Sequence, residues 1–124
     1  MNKARWVFGA AGVIGLLMML PHYFLFEKMG RDYPPAITHP EYFYGFVGVA
    51  VAWQIAFLVI ARDPARYRLL MIPAVLEKLS FGVAALVLLA QQRIPGPMLA
   101  GGVLDLVWGA LFFTAFWSWT RPAK

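Results

Sequence analysis

Four apolar runs, each about the 20 residues that a helix needs to cross a bilayer, fill most of a chain of 124 residues. They cover residues 6–26, 41–61, 69–91 and 98–119. A soluble domain has no core large enough to hide four such segments in so short a chain. The rest of the composition agrees: 61% of the residues are hydrophobic and 14% charged, where a soluble domain carries roughly 25% charged residues. Mean hydropathy is +0.66. The pattern predicts an all-α integral membrane four-helix bundle. The connections are short, so neighbouring helices run antiparallel in an up-down order. A single transmembrane domain, 1–124, takes the whole length.

Orientation follows from where the basic residues fall. Lys3, Arg5, Arg62, Arg66, Arg68, Arg121 and Lys124 belong to one side, and only Lys28, Arg31 and Arg93 to the other. Positive charge is retained in the cytoplasm, which puts both termini there and residues 27–40 outside. A basic start before an apolar stretch also resembles a secretory signal. The first run is too long for a signal core and no small-residue cleavage pattern follows it, so it reads as a retained span. The net charge of +5 is thereby absorbed by helix ends and does not call for nucleic acid.

Several chemistries are excluded or unsupported. There is no cysteine, hence no disulfide and no thiol redox chemistry. No set of histidine and acidic residues has ligand spacing, so neither a metal nor a cofactor is expected. His39 and Glu41 belong to a helix start, where Thr38 is expected to cap, Pro40 to occupy the first turn and Glu41 to complement the helix dipole. Asp63 before Pro64 reads as a second cap. Pro21 should kink or loosen the far end of the first span. Pro34-Pro35 imply a turn or extended segment within the 27–40 connection. Tyr42, Phe43, Tyr44, Trp117 and Trp119 suit a membrane interface. Gly9, Gly12 and Gly15 give the first run a narrow packing face, and Gly45, Gly48, Ala52 and Ala56 are expected to do the same for the second.

Two polar islands interrupt the last two runs, Leu76-Glu77-Lys78-Leu79 and Val103-Leu104-Asp105-Leu106. At about 1.5 Å per residue, Glu77 falls near the midplane and Asp105 roughly 10 Å from the opposite interface. Their heights then differ by only about 5 Å. Lys78 points about a quarter-turn from Glu77 and is expected to pair across helices, with Asp105 rather than with its neighbour. Ionisable groups at such depth face a bundle interior or a wet cavity. Two roles compete. One is an interhelical clasp that fixes how the helices meet. The other is a polar pocket lined by Glu77, Lys78, Asp105, Gln54, His22 and Trp108, in which a carboxyl not matched by Lys78 carries a proton or binds a cationic or hydroxylated molecule. Gln54 is also explained by a plain interhelical hydrogen bond.

The four-span layout, together with His39-Pro40-Glu41-Tyr42-Phe43-Tyr44-Gly45-Phe46, Leu76-Glu77-Lys78-Leu79 and Leu104-Asp105-Leu106, resembles the small bacterial inner-membrane proteins of DoxX-like type. The resemblance covers most of the chain. It implies a multi-pass protein of the bacterial inner membrane, loosely associated with membrane redox and quinone-linked processes, and it assigns no catalytic residue. The expected function is a non-enzymatic inner-membrane protein, accessory to a membrane-protein partner or binding a small lipophilic ligand, in the bilayer and able to self-associate. The alternative is a proton-coupled transporter or membrane-embedded enzyme using Glu77 and Asp105.

Overall fold

The computed structural model describes residues 2–119. Arg121 and Lys124, counted above for orientation, lie outside the described residues. Within them the fold is all-α: α1 (Asn2–Met19), α2 (Phe26–Asp32), α3 (Pro40–Arg62), α4 (Met71–Ala90) and α5 (Leu99–Thr114). Four helical segments, Lys3–Phe24, Pro40–Arg62, Arg68–Ala90 and Gly96–Trp119, are long and apolar enough to cross a membrane.

The helix ends follow local chemistry. α1 stops at Met19 and tightens into a 3₁₀ turn over Leu20–Phe24, with Pro21 in its first positions. The connection from 27 to 40 is more helical than expected. It forms α2, in which Lys28 pairs with Asp32 one turn on, and the helix ends two residues before Pro34. Thr38 does not cap α3. The N-cap is His39 with no side-chain bond to the helix backbone, and Pro40 and Glu41 open the helix. Asp63 closes α3 instead of opening α4; its Oδ1 accepts the Arg66 backbone N–H at 3.2 Å and so holds the following turn.

Two antiparallel pairs make up the molecule, α1 with α3 and α4 with α5. Glycine allows both close approaches. A Cβ placed on Gly12 would stand 2.9 Å from the Gln54 carbonyl, and one on Gly102 would stand 2.5 Å from the Ala85 Cβ. The stripe Gly45, Gly48, Ala52 and Ala56 is not the packing face of α3. Gly45 faces open space and Ala52 is exposed. The helix instead buries Val47, Ala50, Gln54, Phe57, Ile60 and Ala61. The larger side chains fill the groove better, and close approach to α1 is provided by the glycines on α1.

The common core lies at the end where α1 begins, where α5 ends and where the 62–68 turn sits. Ala4 and Phe8 of α1, Phe57 and Ile60 of α3, Met71 and Ala74 of α4, and Phe112 and Ala115 at the end of α5 are all buried there. The Phe8 and Phe112 rings stack at 4.1 Å, and Phe57 meets Phe112 edge-on at 4.8 Å. Arg68 fastens this end by donating to the Phe116 carbonyl from Nε at 3.0 Å and Nη2 at 2.8 Å. Around the outside, Trp6, Leu69 and Tyr42 are 73–78% exposed and Phe24 90%. So much outward apolar surface is at home in lipid and out of place in water.

Candidate functional site

The core's outer rim carries the one place among the described residues where buried charge gathers. Lys78 emerges from α4 opposite Gly109 of α5, where a Cβ would lie 3.1 Å from the Leu79 side chain and 3.4 Å from the Lys78 Cβ. Its ammonium stands 3.5 Å from Asp105 Oδ1 and 3.7 Å from Glu77 Oε2. It also lies 5.1 Å above the Phe57 ring, a cation–π contact made from α3. The Lys78 side chain is 7% exposed, while Glu77 and Asp105 remain about a fifth exposed, at 20% and 19%. Three helices therefore converge on one cation.

The expected pairing across helices is present, but Lys78 also reaches its sequence neighbour. The Cα–Cβ directions of residues 77 and 78 diverge, yet the four-carbon stem is long enough to swing the ammonium back. The charges do not balance. Two carboxylates share one ammonium, and Glu77 Oε2 is buried without a hydrogen-bond partner. Its main-chain carbonyl is better served, accepting the Ser80 hydroxyl at 2.9 Å.

The other candidate residues make different contacts. Gln54 is buried on α3, but its amide donates to the Ala50 carbonyl of its own helix at 2.9 Å. Its Oε1 has no partner and points at Gly15 of α1. The interhelical hydrogen bond expected of it is not formed. Nδ1 of His22 donates to the Met18 carbonyl at 2.8 Å, closing the end of its own helix. Trp108 packs against the core, 6.3 Å from Phe112. Phe57 is the residue that sequence reasoning missed. An aromatic one turn after Gln54 was the available signal, but ten phenylalanines made it indistinct. His39 and Glu41 contact each other at 3.2 Å on the exposed start of α3, and no group of three or more metal-ligating side chains exists among the described residues.

In comparisons with known proteins, no family model, curated protein or solved structure matches the chain.

Proposed function

We propose that the chain is a multi-pass protein of the bacterial inner membrane, of DoxX-like type, that binds a small lipophilic ligand at Glu77, Lys78 and Asp105. The observation that carries this reading is the buried Glu77 Oε2, which stands 3.7 Å from the Lys78 ammonium but has no hydrogen-bond partner. A buried acceptor left without a donor costs about 1–3 kcal/mol, and a clasp needs only one carboxylate for its one ammonium. A ligand with an amine or hydroxyl head would supply the missing donor, and its apolar body would lie among the helices. The same surplus of one carboxylate supports a second reading, in which the site takes up and releases a proton on behalf of a transporter or larger membrane complex.

Comparison of Glu77→Gln with Asp105→Asn tests the ligand reading. Native mass spectrometry of the detergent-extracted protein should find a small molecule retained by the wild type. Glu77→Gln should fold normally and lose most of that molecule, because the acceptor that lacks a hydrogen bond is the one altered. Asp105→Asn should also lower stability, since it removes the cross-helix partner of Lys78. A wild type that carries nothing, or a Glu77→Gln variant that simply fails to fold, would leave the clasp as the better account.

The seven-to-three distribution of Lys and Arg supports cytoplasmic placement of both termini. A reporter that works only in the cytoplasm should be active when fused to the C-terminus, and inactivity there would reverse the assignment.

A further inference from the structure

We propose that the turn after α3 forms a binding notch for the phosphate group of an anionic lipid. A cleft of about 430 Å³ opens at the common-core end of the molecule, lined by Val59, Arg62, Asp63, Arg66 and Tyr67. Two guanidinium groups border it. Neither the Arg62 nor the Arg66 side chain forms a hydrogen bond or ion pair among the described residues, although Arg66 leans over the Tyr67 ring at 5.6 Å. A third guanidinium, that of Arg5, donates to the Arg62 carbonyl at 3.4 Å and adds charge at the same corner. The one acid, Asp63, is already occupied in part by the Arg66 backbone N–H.

Guanidinium forks match phosphate oxygens in pairs. The apolar side chain beside the guanidiniums selects a lipid over free phosphate. Val59 lies one turn inward from Arg62 on α3, lines the cleft and is 39% exposed, so an outward-facing apolar side chain adjoins the guanidiniums. A ligand seated here meets cations at headgroup level and hydrocarbon immediately below. The cleft at the other end, of about 310 Å³, is also lined by two basic residues and one acid, Lys28, Arg31 and Glu27, but its Lys28 is already paired with Asp32. The notch also differs from a diffuse basic surface, which attracts anionic lipid through summed charge alone.

The test places the protein in phosphatidylcholine vesicles with and without phosphatidylglycerol, then reads the lipid retained on extraction by native mass spectrometry. The wild type should retain phosphatidylglycerol over phosphatidylcholine. Arg62→Ala with Arg66→Ala should lower that retention by at least about tenfold, while Lys28→Ala with Arg31→Ala leaves it unchanged. Arg62→Lys with Arg66→Lys keeps the charge but loses the fork, and should fall between. The proposal is overturned if the wild type shows no preference, if the lysine pair retains lipid as well as the wild type does, or if the alanine pair, shown folded by its tryptophan spectrum, does so. Displacement of phosphatidylglycerol by inorganic phosphate would overturn the lipid assignment.

Discussion

Lys78→Met should be among the most damaging single substitutions in this chain, destabilising the fold by about 3–5 kcal/mol. Methionine nearly matches the stem in length and shape, so packing against Phe57 and Gly109 is largely kept. What is lost is the ammonium that stands within 3.7 Å of both carboxylates. Glu77 and Asp105 would then face each other across α4 and α5 with no cation between them. Charge left unpaired in a low-dielectric setting costs far more than the intact pair contributes, which for polar contacts between membrane helices is only about 1–2 kcal/mol. Against a total stability of roughly 5–15 kcal/mol, much of the protein should unfold on extraction. The triple variant Glu77→Gln, Lys78→Met, Asp105→Asn has the same shape and no charge, and should recover most of the loss. Thermal unfolding in detergent, followed by tryptophan fluorescence, reads both. A triple variant as unstable as Lys78→Met would show that shape, and not charge, is what Lys78 contributes.

The features that were legible in the sequence depend on one helix at a time. Apolar length marked the four segments long and apolar enough to span a membrane, and the spacing of Gly9, Gly12 and Gly15 marked a face that does meet α3. The charged islands were conspicuous because each is polar in an apolar run. The rotation of each helix about its axis was not legible. α3 carries two stripes at helical spacing, a small one through Gly45, Gly48, Ala52 and Ala56 and a mixed one through Val47, Ala50, Gln54 and Phe57. Periodicity alone does not say which faces a neighbour. The structure buries the second, and this choice turns Gln54 toward Gly15 and brings Phe57 beneath Lys78. Asp105 is the partner expected for Lys78; the second contact, with Glu77, was missed for a different reason. Direction was inferred from the Cα–Cβ bond, while a lysine ammonium sits several freely rotating bonds further out and can serve two carboxylates at once. Gln54 and His22 both bond to carbonyls of their own helices, an option that polar side chains in an apolar helix readily take.

Gly102→Ala should separate α4 from α5, and Ala85→Gly should bring them back together. The added Cβ would stand 2.5 Å from the Ala85 Cβ, against a comfortable carbon–carbon distance of about 3.5–4.0 Å. Neither side chain has a torsion through which to escape, so the backbones must part by roughly 1 Å, at an overpacking cost of about 1–3 kcal/mol. Gly82→Ala meets the movable Leu106 side chain at 2.6 Å but also the Gly102 carbonyl at 3.0 Å, and should cost less. Gly9→Ala, whose nearest neighbour would be 3.8 Å away, should be close to neutral. In the Gly102→Ala, Ala85→Gly double variant the nearest remaining neighbours of the new Cβ are the Gly82 carbonyl at 3.7 Å and the residue-85 Cα at 3.9 Å, both ordinary contacts. Stability should therefore return to near the wild-type value in thermal unfolding. The charged site feels the same displacement, because Asp105 follows Gly102 by one turn and its contact with Lys78 is already 3.5 Å long. Ligand retention should accordingly fall in Gly102→Ala even under conditions where the protein stays folded, and return in the double variant. Equal stability of wild type and Gly102→Ala would mean that the two helices do not approach as closely as Gly102 and Ala85 require.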